Sequence, residues 1–249
     1  MATIKTRGII IRRINLGEAD RILTILTEDR GKIRVVAKGV RKPKAKLSGF
    51  LELFRYNEYL LAEGRNLDLV AGAYTIDNLV GVGQSLRSVA VAYYIAETLD
   101  KLVEETQEIN KVFDIVYRSL KAISEGGDLD AIKSWFEINL LTSLGFRPEL
   151  NHCVECRTLI DVTAPKESFR AWFSFELGGV LDDQHRGSDP ISLPISADEL
   201  IELRSMGVDI PKQVSPKVVQ IGSGFMDQII DRNLRSKEFL AEVTSGFLE

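Results

Sequence analysis

The chain has 249 residues, 45% hydrophobic and 27% charged, with a formal net charge of −4, which suits one large or two smaller globular domains. Its longest apolar stretches are strand-sized or broken by charge, far short of the roughly 18 to 20 residues of a membrane-spanning helix, and the start, Met1 to Arg7, lacks the apolar core of a secretory signal. Cys153 and Cys156 are the only cysteines, so a disulfide framework is excluded by count and a cytoplasmic protein is the simplest expectation.

The N-terminal residues read as five short strands, 6–14, 21–27, 32–38, 51–62 and 67–76. The breaks between them, 15–20, 28–31, 39–50 and 63–66, supply Gly, Asn, Asp and Pro where turn geometry needs them. Five short antiparallel strands in about 75 residues, with no helical period among them, suit a small closed barrel such as an OB-fold. Phe54, Tyr56 and Tyr59 add aromatic surface to the fourth strand. Such rings pack a barrel core, or stack on bases where they face solvent.

The loop after the third strand carries Lys38, Arg41, Lys42, Lys44 and Lys46, five cations in nine residues with no acid among them. Like charges so close repel one another, and a cellular polyanion that relieves the repulsion is nucleic acid; an ordinary solvated loop is the plainer reading. The wider distribution favours the first. Residues 1–76 hold 15 Lys and Arg against 8 Asp and Glu, a net of +7, while the remainder holds 17 against 28, a net of −11. Association follows the field of the contacting face, so the overall pI near 5.5 does not argue against a nucleic-acid partner. Arg12, Arg13 and Arg34 are supporting charges if their strands face the same way. Phosphate contacts alone do not separate DNA from RNA, and a barrel that binds RNA or a partner protein stays open at this point.

From residue 84 the period changes. Leu86, Val89, Ala90, Tyr93, Leu99 and Leu102 fall on one helical face, then Ile109, Val112, Phe113, Val116, Leu120 and Ile123, then Ile132, Trp135, Phe136, Leu140 and Leu144. Gly126 and Gly127 separate the second helix from the third, and Gly145 with Pro148 stops the third. Further helices are expected over 197–206, 218–234 and 237–246. No internal repeat or low-complexity tract is visible.

The segment from Leu144 to Cys156 resembles the entry to the zinc module of the RecO family of bacterial recombination mediators. The similarity extends along the chain: residues 8–12, 17–21, the turn at 37–39, 47–53, 67–69, 136–156, Gly178 with Gly179, and 235–240. What the resemblance implies is an α+β protein in which residues 1–80 form an OB-fold that binds single- and double-stranded DNA. Residues 81–249 would form a helical domain, with 148–190 an insertion like a zinc module. It further implies annealing of complementary strands and loading of RecA onto strands coated by single-strand-binding protein, with RecR as a partner. A groove for the acidic tail of single-strand-binding protein is implied without residues to place it, as is nucleoid association. Relatives of this kind have no catalytic centre, and the sequence agrees in having only two histidines, His152 and His185, and no Gly-x-x-x-x-Gly-Lys-Ser/Thr phosphate loop.

One departure stands out. Zinc-bearing relatives place a second cysteine pair just after the two glycines, where this chain has Asp182 and His185 at the same two-residue spacing. Carboxylate and imidazole both ligate zinc, so a tetrahedral structural site of Cys153, Cys156, Asp182 and His185 is expected, with Asp183 and His152 as spares, against a module that folds by packing alone. A redox role for the cysteine pair is the enzyme-class alternative, but that chemistry belongs at a strand-to-helix junction in a βαβ unit.

Overall fold

Five strands close the N-terminal barrel: β1 (Thr3–Leu16), β2 (Asp20–Thr27), β3 (Lys32–Ala37), β4 (Tyr56–Ala62) and β5 (Asp68–Asp77). Around the barrel they run β1-β2-β3-β5-β4, all antiparallel except β3 with β5, which is the five-stranded OB arrangement. β1 is the longest because it pairs twice, with β4 over residues 3–9 and with β2 over residues 8–16. Gly8 sits where it changes partner. A Cβ there would lie 2.5 Å from the Leu26 carbonyl oxygen, so only glycine lets the sheet curl this tightly. A bulge between Ile10 and Arg12 re-aims the rest of the strand. Ile10, Leu23, Ile25, Val35, Tyr59 and Leu61 fill the interior, each contributing roughly 1.5–3 kcal/mol by burial.

The structural description rests on a computed structural model and covers residues 3–104, 110–230 and 234–246. By packing the chain forms two units, Met1–Gly126 with Leu234–Glu249, and Gly127–Asn233. The change from strand to helix falls near residue 80; the division by packing falls at 126.

In the first unit, α1 (Leu86–Leu102), α2 (Asn110–Ser124) and α6 (Arg235–Thr244) accompany the barrel. Ser85 caps α1 by accepting from the Ser88 N–H. Asp100 of α1 accepts from Arg12 and Lys32, tying the helix to the barrel wall. α6 has no side-chain cap of its own; Glu97 of α1 accepts from the backbone N–H groups of Arg235 and Ser236 in its place.

The second unit contains α3 (Leu129–Ser143), α4 (Ala197–Ser205) and α5 (Pro216–Ile229). Each starts on a cap that the sequence carries: Asp128 for α3, a Ser196/Glu199 capping box for α4, and Ser215 followed by Pro216 for α5. It also contains a small antiparallel sheet in the order β7-β6-β8, built from β6 (Ala171–Ser174), β7 (Gly179–Asp182) and β8 (Leu193–Ile195).

Two elements differ from expectation. The fourth strand begins at Tyr56, not at 51, because residues 48–50 form a 3-10 turn and Phe54 takes a left-handed backbone (φ 65°) that interrupts extension. The helix expected over 218–234 ends at Ile229, and its last expected residues include 231–233, which lie outside the described residues, as does Ile109. Phe54, Tyr56 and Tyr59 are packing rings. Phe54 meets Tyr93 of α1 edge-on at 5.4 Å, Tyr56 lies 5.5 Å from Phe113 and 5.2 Å from Tyr117 of α2, and Tyr59 is wholly inside the barrel. Burial and the Glu28 carboxylate beside it push the Tyr56 hydroxyl pKa well above its ordinary value.

Candidate functional site

The basic loop leaves β3 at Ala37 and is pinned at its base to the β1–β2 turn. Gly39 turns the chain with φ 65°, its N–H donating to Asp20 Oδ1 at 2.7 Å, and the Arg41 N–H donates to the Ala19 carbonyl at 2.9 Å. Successive turns follow, with Lys42 N–H donating to the Gly39 carbonyl (3.1 Å), Ala45 to Lys42 (3.0 Å) and Ser48 to Ala45 (3.2 Å). Val40 and Leu51 anchor the two ends in the barrel core. The apolar anchors and turns fix the backbone and leave the charged side chains outside.

Lys38, Arg41, Lys42, Lys44 and Lys46 are all exposed. Arg41 spends one donor on the Gly17 carbonyl at 2.8 Å, so it helps hold the loop. Among the described residues, no carboxylate lies within ion-pair distance of Lys38, Lys42, Lys44 or Lys46. Four uncompensated ammonium groups on one ordered loop project a positive field. The other cations stand differently: Arg12 pairs with Asp100 at 2.8 Å, Arg13 pairs with Glu52, which Arg21 also approaches at 3.7 Å, and Arg34 is exposed on β3.

In the second unit the two cysteines sit on a hairpin-like loop zipped along β7. Glu149 bridges Gly179, and the Val154 N–H donates to the Val180 carbonyl at 2.9 Å. Arg204 of α4, which the sequence reading did not single out, clamps both ends of this loop. Its Nε and Nη2 donate to the Leu150 carbonyl at 2.9 and 2.8 Å, and Nη2 also donates to the Ile160 carbonyl at 3.0 Å.

The register carries Cys153, Cys156, Asp182 and His185 to one point, where their ligand atoms all lie within 4.8 Å of one another. Cys153 is buried and Cys156 exposed; neither is in a disulfide. Asp182 Oδ2 is 3.2 Å from Cys156 Sγ, and Oδ1 is 2.8 Å from His185 Nδ1. Burial opposes ionisation of Asp182, but donation from the His185 ring, Cys156 and the His185 N–H holds its carboxyl below the ordinary range. Tetrahedral zinc, with bonds of about 2.3 Å to sulfur and 2.0 Å to nitrogen or oxygen, sets its donors about 3.3–3.8 Å apart. A contraction of about 1 Å brings the widest pair into that range, so the four residues fit such an ion. Asp183 and His152 are exposed and stand outside the cluster. The Cys153–Cys156 segment is a turn that leads into extended chain and not into a helix, unlike a redox motif.

A closed 1-2-3-5-4 barrel with a cationic loop, continued by helices and a cysteine hairpin, defines an OB-barrel protein with an appended helical region that carries a Cys, Cys, Asp, His cluster able to hold a metal ion. The profile described as "Recombination protein O N terminal" matches residues 1–79, and "Recombination protein O C terminal" matches residues 83–238. The chain belongs to the RecO family of DNA repair proteins. It is 36% identical over 248 residues to the DNA repair protein RecO of Roseiflexus sp. (strain RS-1), covering 96% of this chain and 85% of that one. With the DNA repair protein RecO of Bacillus subtilis (strain 168) it shares 28% identity over 250 residues, covering 97% and 95%.

Proposed function

We propose that this protein is a non-catalytic recombination mediator. It binds single- and double-stranded DNA through the β3–β4 loop, anneals complementary strands, and helps load RecA onto strands coated by single-strand-binding protein, with RecR as its partner in the nucleoid. The observation that carries this reading is the set of four exposed lysines with no carboxylate partner among the described residues, Lys38, Lys42, Lys44 and Lys46, on a loop of an OB barrel. Contact with phosphates releases counterions and is blind to sequence, which suits a protein that acts on any strand. Because the loop grips the backbone, base edges stay free to pair, and pairing itself supplies the driving force. Zinc in the Cys153, Cys156, Asp182, His185 set would supply a structural crosslink between the hairpin and β7, and no chemistry.

The test is annealing of two complementary oligonucleotides precoated with the cognate single-strand-binding protein. Wild type should accelerate it, and a variant with the four lysines replaced by Ala should not. No acceleration by wild type that nonetheless binds DNA would reduce the protein to a plain nucleic-acid-binding module.

A further inference from the structure

The outward face of β1, β4 and β5 carries a second set of groups suited to a nucleic-acid strand. Register places Arg7, Glu58 and Tyr74 in one row and Lys5, Leu60 and Gly72 in the next. Since Tyr59 and Leu61 of β4 point into the barrel, Glu58 and Leu60 point out, and their cross-strand neighbours with them. Tyr74 is 72% exposed, whereas Phe54, Tyr56 and Tyr59 are all buried. Beside it Gly72 leaves the sheet bare. A Cβ at that position would find only the Leu60 Cβ, at 3.7 Å, so Leu60 and the Gly72 backbone make a flat apolar floor with the tyrosine ring as its wall.

Across β4 lie Lys5 and Arg7, with side chains 75% and 55% exposed. Both approach Glu58, at 4.0 and 3.5 Å. Exposed pairs this long contribute almost nothing to stability, so both cations can exchange that carboxylate for a phosphate. An aromatic wall over an apolar floor, with cations on the far side of β4, is the pairing of base stacking with backbone charge that single-strand binders use. In a duplex the bases are stacked on one another and cannot reach the ring.

The place of this face matters. Lys5 and Arg7 stand at the start of β1, while the basic loop is pinned to Gly17, Ala19 and Asp20 beyond its end. Ten residues of strand separate Arg7 from Gly17, up to about 30 Å at about 3.3 Å per residue. We infer that this face is a second single-strand track, so that one barrel holds two strands at once. The inference rests on the nucleic-acid reading above and deepens it, since two strands held on one barrel are poised to pair.

The experiment is capture of a labelled oligothymidylate of about four nucleotides, at most about 25 Å long when fully extended and so too short to span both surfaces, by wild-type protein already bound to an immobilised oligothymidylate of the same length. Wild type should retain the label. Tyr74→Ala should cut retention by about 5- to 100-fold while leaving the first binding step unchanged, Tyr74→Trp should restore it, and Lys5→Ala with Arg7→Ala should flatten its salt dependence. The inference is overturned if wild type holds one strand only, or if Tyr74→Ala retains the second as well as wild type does. Failure of wild type to bind even the immobilised strand would instead refute the nucleic-acid reading, and this inference with it.

Discussion

Removing the Asp100 side chain should loosen the barrel from α1. Its Oδ2 accepts from Arg12 Nη1 at 2.8 Å and its Oδ1 from Lys32 Nζ at 3.3 Å, while the Asp100 backbone carbonyl accepts from the same ammonium at 2.6 Å. The two ion pairs differ in weight, because the Arg12 side chain is 54% exposed and that of Lys32 only 6%. The exposed pair contributes about 0.5 kcal/mol. Breaking a buried pair costs about 3–5 kcal/mol, and the retained carbonyl bond lowers that to about 2–3 kcal/mol. Asp100→Ala should therefore cost about 3 kcal/mol, or a fall of about 6–12 °C in the melting temperature of this unit. Adding Lys32→Met should recover most of the loss, since it removes the stranded charge. All six tyrosines lie in the first unit and both tryptophans in the second, so tyrosine and tryptophan signals followed through urea unfolding report the two separately. Only the tyrosine transition should move. A shift below about 0.5 kcal/mol in Asp100→Ala, or a double variant no better than the single one, would show that the buried ammonium does not depend on this carboxylate.

Protein purified without a polyhistidine tag should carry about one equivalent of zinc, and Asp182→Ala or Cys156→Ser should reduce it below about a tenth; wild type at that lower level would dismiss the site. The docking of α6 should depend on pH. Burial alone would raise the pKa of Glu97, but the nearby Ser236 hydroxyl, the bond from the Ser236 N–H and the Lys101 ammonium outweigh it and hold it below its ordinary 4.5. The stabilisation is then full above about pH 4.5 and is lost as pH falls through the lower folded value. The protection of the amides of residues 235–244, taken relative to intrinsic exchange at each pH, should fall over that range in wild type and stay constant in Glu97→Gln.

Much of the barrel was legible because its signals are local: short apolar, β-branched runs in β2 and β3, and turn residues at 28–31 and 63–66. The helices were legible from their apolar period and from the breaks at Gly126, Gly127, Gly145 and Pro148, while the caps at Ser85, Asp128, Ser196 and Ser215 emerged with the structure. The start of β4 was not legible, because the left-handed backbone at Phe54 is imposed by its bond to the Ile10 carbonyl and its packing on Tyr93. The β6–β8 sheet escaped notice since strands of three and four residues are too short to show a period. Of the site, the exposed lysines follow from composition and the convergence of Cys153, Cys156, Asp182 and His185 from spacing read beside a family resemblance. The ion pairs of Arg12 and Arg13 join residues 88 and 39 positions apart, and the Arg204 clamp reaches back 54; no sequence window holds such partners.

The basic loop is tested most directly by the salt dependence of single-stranded DNA binding, compared between wild type and the variant with Lys38, Lys42, Lys44 and Lys46 changed to Ala. Arg41 stays in place because it holds the loop to Gly17. At about 0.7 per phosphate contact, the slope of log K against log salt should become shallower by about 2.8, with weaker binding at low salt. An unchanged slope at unchanged affinity would place the phosphate contacts elsewhere on the protein and remove the loop from its mechanism.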